Sequence, residues 1–152
     1  MIYLSDFITA GKDERAISIA AMRPGIFKGE ARKDLAPKFS SMAKYRDCKY
    51  AEFASEYTEI VYSHNLDALA KELDGRILLC NCPKDEFCHR LLLGFYLHKE
   101  TGIEVEEIGG FGEIWKKLAE NKDEPMRIFL DERMFPKHDR HGRLVNAMRK
   151  TA

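Results

Sequence analysis

Between Arg76 and Cys82 the chain reads RILLCNC, and Ile77-Leu78-Leu79 runs apolar into Cys80 with no polar residue interleaved. A short run of that kind, entered from the turn residues Asp74-Gly75, predicts a strand buried on both faces, as at the centre of a parallel sheet. Parallel neighbours cannot be joined by tight hairpins, so such a strand demands crossover connections long enough to hold helices. One follows at once. A polar loop opens at Pro83, and a helix is expected from Phe87 or Cys88 to Lys99. Leu91, Leu92, Phe95 and Tyr96 give this helix an apolar face, and Thr101-Gly102 closes it. Residues 103–108 (IEVEEI) then alternate as an outer or edge strand does. Strand, helix and strand in that order over residues 76–108 argue for a parallel sheet covered by helices.

The rest of the chain fits this frame. Residues 1–8 and 16–22 (AISIAAM) are expected as strands, the second stopped by Arg23-Pro24-Gly25. Residues 26–37 read as a loop and residues 39–45 as a short helix. Over residues 51–73 apolar residues recur at helical spacing, with Phe53, Tyr57, Ile60 and Val61 on one face. Asn65 is placed to cap a second helix over 66–73, with Leu66, Leu69, Ala70 and Leu73 facing inward. Further on, Gly109-Gly110-Phe111-Gly112 reads as a flexible turn, residues 113–119 as a short helix carrying Trp115, and residues 126–130 as one more strand. With 152 residues the chain is expected to form one domain (1–152) with a basic C-terminal extension over 131–152. From Arg133 onward it has six Lys/Arg, two His and one acid, Asp139, and a solvated helix is the expected form. The fold class is therefore α/β: a single domain with a mostly parallel sheet covered by helices in a Rossmann-like three-layer arrangement.

Lys+Arg and Asp+Glu both total 25, which argues against steering by the charge of the whole chain toward nucleic acid or an anionic membrane. No apolar run approaches the roughly 20 residues of a membrane span. Asp6 comes too early for a secretory signal, so a cytoplasmic setting with reduced cysteines is expected.

Three of the four cysteines, a histidine and an arginine fall within the eleven residues from Cys80 to Arg90. They sit where a strand ends and a helix begins, and open α/β sheets bind ligands outside the carboxyl ends of their strands. Cys88, placed in the first helical turn, would be favoured as a thiolate by the helix dipole. His89 can carry a proton near neutral pH, and Arg90 offers a fixed positive charge with a two-pronged donor for phosphate or carboxylate. By pattern Cys82 and Cys88 are the more exposed cysteines, while Cys80 extends the apolar run and also reads as core. The loop of phosphotyrosine phosphatases, a cysteine five residues before an arginine, is absent. Cys80, Cys82, Cys88 and His89 form C-x-C-x5-C-H, four residue types that ligate zinc. Zinc knuckles use C-x2–4-C instead, and adjacent Cys88 and His89 would diverge on a helix. No cofactor or metal is therefore expected, with zinc kept as an alternative. His138 and His141 are spaced to seat a metal on a helix but have no third ligand nearby.

LLCNCPKDEFCHR closely resembles the signature of the domain of unknown function 488 family, in which a leucine-rich strand, a cysteine and a short acidic loop lead to Cys-His-Arg at a helix start. Arg23-Pro24-Gly25-Ile26-Phe27-Lys28-Gly29, Leu35-Ala36-Pro37, Glu56-Tyr57-Thr58 and Glu107-Ile108 resemble further segments of that family, so the likeness covers residues 1 to about 110. Family members commonly carry an acid two positions after the first cysteine, where this chain has Cys82. The resemblance implies a compact α/β domain without assigning an activity. It supports Cys80, Cys88, His89 and Arg90 as site residues and raises Arg23, Pro24, Lys38 and Tyr57 as residues lining the same cleft.

Together these readings predict a thiol-dependent enzyme acting on a phosphate-bearing substrate, a nucleotide or a nucleic acid, with Cys88, His89 and Arg90 catalytic. Arg23, Pro24, Tyr57, Cys80 and Cys82 would contact the substrate. A non-catalytic nucleotide- or nucleic-acid-binding module and a structural zinc site are the alternatives.

Overall fold

In a computed structural model the described residues are 1–47, 49–81 and 88–108, with backbone pairing alone at 137–138 and 144–145, and with the side chain of Tyr50 left aside. Five strands pair in the order β3-β2-β4-β1-β5, and every pairing is parallel. They are β1 (Ile2–Asp6), β2 (Ala16–Ser18), β3 (Glu30–Ala31), β4 (Ile77–Cys80) and β5 (Val105–Glu107). Strand β4 is central, with Ile77 between Tyr3 and Ala16 and Leu79 between Ser5 and Ser18, and all four of its residues are buried. The uninterrupted apolar run is explained by this position, since a strand covered on both faces has no solvent side to make polar.

The helices are α1 (Phe7–Ala10), α2 (Phe39–Arg46), α3 (Tyr50–Tyr62), α4 (Leu66–Leu73) and α5 (His89–Thr101), with a 3-10 turn at Lys33–Leu35. Side chains alternate across each strand. Ile2 and Leu4 of β1, Ile17 of β2 and Leu78 of β4 meet the layer of α3, α4 and α5 through Phe53, Tyr57, Leu69, Leu91 and Phe95. Ile77 and Leu79 point the other way and pack with Ala10, Phe27 and Phe7. The two faces follow from the strand order. The connections β1→β2 and β2→β3 run toward one edge, while β3→β4 and β4→β5 run toward the other. Crossovers share one hand, so connections running in opposite directions must lie on opposite faces. Hence α1 and the loop carrying Phe27 cover one face and α3 to α5 the other.

Local chemistry sets the ends of these elements. The Asp6 carboxylate accepts from Thr9 N at 2.7 Å and starts α1, which cuts β1 shorter than the strand expected over 1–8. Asn65 Oδ1 accepts from Ala68 N at 3.1 Å and caps α4. Helix α5 ends at Gly102, whose φ of 77° is the left-handed conformation a glycine adopts without strain. This helix is buried at every position from His89 to Leu97, so it is a core helix rather than an amphipathic one. Gly94 allows its close approach to the sheet, because a Cβ there would lie 2.9 Å from Leu4 Cδ1 and 3.2 Å from Val105 Cγ1.

Other expectations need correction. Strand β2 ends at Ser18, and Ala20 to Met22 continue as irregular chain. The stretch read as a loop holds β3 and the 3-10 turn. In the C-terminal extension Lys137–His138 pairs antiparallel with Leu144–Val145, so His138 lies in a strand and not on a helix. The expected glycine turn at 109–112, the Trp115 helix and the strand over 126–130 lie outside the described residues. No helix among the described residues is long and apolar enough to cross a membrane.

Replacing Asn65 by Ala removes the cap that orders the start of α4. A loss of about 1 kcal/mol of unfolding free energy is expected in urea titrations, with an unchanged slope against denaturant.

Candidate functional site

Strand β4 ends at Cys80, and α5 begins at His89 with Cys88 as its N-cap. Cys88 has φ −147° and ψ 143°, an extended conformation, so it is not part of the first helical turn as expected. This corrects the expectation that Cys88 and His89 diverge. One extended and one helical residue turn their side chains toward each other, and Cys88 Sγ lies 3.9 Å from His89 Nδ1. Cys80 Sγ joins them, and the three heteroatoms all lie within 4.8 Å of one another. Cys80 and Cys88 are both thiols. Contrary to the sequence pattern, Cys88 is fully buried, as are Cys80 and Arg90. Cys82 falls outside the described residues.

The partners of His89 define its tautomer. Nε2 lies 2.7 Å from the carbonyl oxygen of Ile19, which can only accept, so Nε2 carries the hydrogen and the lone pair of Nδ1 faces the sulfurs. Burial disfavours the imidazolium and pushes the His89 pKa down, which keeps the ring neutral at neutral pH. The Tyr57 ring packs against it edge-to-face, with centroids 5.0 Å apart and 72° between the planes. Tyr57 itself is fully buried, and its hydroxyl donates to the Leu35 carbonyl at 2.7 Å, so it supports the imidazole from within the core.

Arg90 Nη1 donates to Cys80 Sγ at 2.9 Å. A buried guanidinium stays charged, because its intrinsic pKa is too high for burial to neutralise it. Glu107, at the end of β5, is on the same strand face as Val105, toward α5. Burial pushes its carboxyl up to about 8, against the pull of the Arg90 charge. Both carboxyl oxygens are buried without a hydrogen-bond partner among the described residues. Sequence reasoning missed Glu107 as part of this site. The signal was the alternation in IEVEEI, which puts an acid on the same face as a core valine.

Beside His89 lies a cavity of about 150 Å³. Ala20, Ala21 and Met22 after β2, Asn81 after β4, Phe39, Met42, Tyr45 and Arg46 of α2, and Phe53 of α3 complete its wall. Asn81 Nδ2 donates to the Met22 carbonyl at 2.7 Å and ties the ends of the two strands together. Beyond this point β2 and β4 send the chain to opposite faces of the sheet, the place where open α/β sheets form their ligand crevices. The contribution of α2 was not visible in the sequence, because contacts across some 40 residues leave no local pattern.

Arg23, Pro24 and Lys38 are not among the residues that line this cavity, although their neighbours Met22 and Phe39 are. Arg23 is exposed, and its Nη1 donates to the Gly29 carbonyl at 3.2 Å. Half-buried Pro24 accepts from Phe27 N at 3.0 Å, so both residues shape the turn after β2. Lys38 is exposed and precedes α2. No protein-family model matches the chain, and no curated protein or solved structure matches it.

Glu107 gives the site a pH signature. Its carboxyl ionises near 4.5 when solvated and at about 8 in the folded chain. Between those values the native state holds a proton that the unfolded state has released. The contribution to stability is therefore complete below about 4.5, falls as pH rises to about 8, and is constant beyond. The difference in unfolding free energy between wild type and Glu107→Gln isolates this contribution, and urea titrations of both at pH 4, 6.5 and 9 are expected to show the difference decline as pH rises.

Proposed function

We propose that this protein is a cysteine-dependent enzyme acting on a phosphate-bearing substrate, a nucleotide or a nucleic acid strand. The observation that carries the reading is the Cys88–His89 pair, with Nδ1 at 3.9 Å from the sulfur and Nε2 held by a backbone carbonyl. A nucleophile, a base and a group that orients the base form the set that thiol catalysis requires. In the proposed reaction Cys88 Sγ gives its proton to Nδ1 and bonds to the electrophilic centre as the bond to the leaving group breaks, and the leaving group takes the proton from the imidazolium. Water then hydrolyses the group from sulfur, with His89 as base and the thiol re-formed. A neutral His89 is suited to the first step. The cavity that His89 borders gives the substrate its approach, with Phe39, Tyr45 and Phe53 offering apolar and aromatic surface and exposed Arg46 a positive charge at its wall. Arg90 adds a second positive charge beside the sulfurs.

Membership in the domain of unknown function 488 family is likewise a proposal, supported by Cys80 and Cys88-His89-Arg90 and by the segments that resemble it. A cytoplasmic setting suits two buried thiols.

The test is turnover of a panel of nucleotides and single-stranded nucleic acids by the wild type and by Cys88→Ser, with circular dichroism to check folding. A fall of at least about a hundredfold in a folded variant is expected. Unchanged turnover in Cys88→Ser would sink the enzyme reading. Salt-sensitive binding without turnover in either protein would favour the non-catalytic binding module instead.

A further inference from the structure

We propose that Cys80, Cys88 and His89 form a binding site for a thiophilic divalent cation, Zn²⁺ foremost. The ligand atoms are Cys80 Sγ, Cys88 Sγ and His89 Nδ1, all within 4.8 Å of one another. Tetrahedral zinc, with Zn–S of about 2.3 Å and Zn–N of about 2.0 Å, sets ligand separations of about 3.5–3.8 Å. Cys88 Sγ and His89 Nδ1 are already 3.9 Å apart, so closing the set on an ion needs side-chain adjustments of less than about an ångström.

Three further features favour a metal. His89 donates its Nε2 hydrogen to the Ile19 carbonyl, the outer hydrogen bond that metal-ligating histidines make and that aims Nδ1 inward. Arg90 donates to Cys80 Sγ, as outer partners of metal thiolates do. All three ligands are fully or almost fully buried, and the single charge of Arg90 balances only one of the two thiolates that a bound dication would bring. Their backbones are also anchored, Cys80 at the end of the central strand and the other two at the start of a core helix. Of the two objections to zinc, the divergence of Cys88 and His89 assumed a helical Cys88, and its extended conformation removes it; the knuckle spacing concerned Cys80 and Cys82, a pair this site does not use. Zinc with three protein ligands keeps a fourth position for water or another group.

This inference stands apart from the enzyme reading, because binding is measured without substrate. The two also meet: an ion on Cys88 Sγ and His89 Nδ1 takes the proposed nucleophile and base together, so bound metal would suppress thiol chemistry.

The experiment is titration of the reduced, metal-free full chain with Co²⁺, followed by the sulfur-to-cobalt charge-transfer band and then by displacement with Zn²⁺. One equivalent is expected to bind with a thiolate band in the wild type and in C48S/C82S, whose remaining cysteines are the two of this site. Binding at least about tenfold weaker is expected in Cys80→Ser and in Cys88→Ser. X-ray absorption of the zinc-loaded wild type keeps the test decisive if those variants fail to fold, and it should report two sulfurs and an imidazole nitrogen. Absence of a thiolate band, loss of binding in C48S/C82S, or a zinc shell without sulfur would overturn the site. Loss of turnover in Cys88→Ser with no metal binding would overturn this inference and leave the enzyme reading intact.

Discussion

Strand β4 has a parallel neighbour on each side and a packed layer on each face, so it has no freedom to shift. A one-residue slip would exchange Leu78 and Cys80 for Ile77 and Leu79 on the α5 side and turn Cys80 away from Arg90. The register with β1 and β2 thus decides where one sulfur of the site lies. The start of α5 decides the rest, and that helix is held down by Gly94 against Leu4 and Val105. Sheet register and helix approach meet at one point, the carboxyl edge between β2 and β4.

Burial controls the charges gathered there. Desolvation acts on each titratable group according to its chemistry: it removes the positive charge from His89 and the negative charge from Glu107, but it cannot discharge Arg90. A buried pocket with a permanent cation, a neutral imidazole and two thiols is suited to negative charge on sulfur. The proposed nucleophile and base are two of the three proposed metal ligands, because both roles ask for sulfur beside an unprotonated imidazole nitrogen.

Much of the frame is legible in the chain. The run at 77–80 marks the central strand, Asn65 the start of α4, Gly102 the end of α5, and IEVEEI the edge strand. Each is a local signal of periodicity, capping or a glycine conformation. The site was legible only as a cluster of residue types. Treating Cys88 as helical hid its convergence with His89, since a one-residue difference in a helix boundary reverses the direction of a side chain. The pattern also made Cys88 look exposed, whereas contacts from distant elements bury it.

By itself the sequence determined a parallel α/β sheet and the segment that carries its cysteine, histidine and arginine cluster, because hydrophobic period and turn chemistry are encoded locally. Only the tertiary structure decided that Ile19 would orient His89, that the charge of Arg90 would reach the buried Glu107, and that α2 would wall the cavity beside His89. Those relations join residues tens of positions apart, and they exist only once strand order and the hand of the crossovers have brought the carboxyl ends of the strands to one edge.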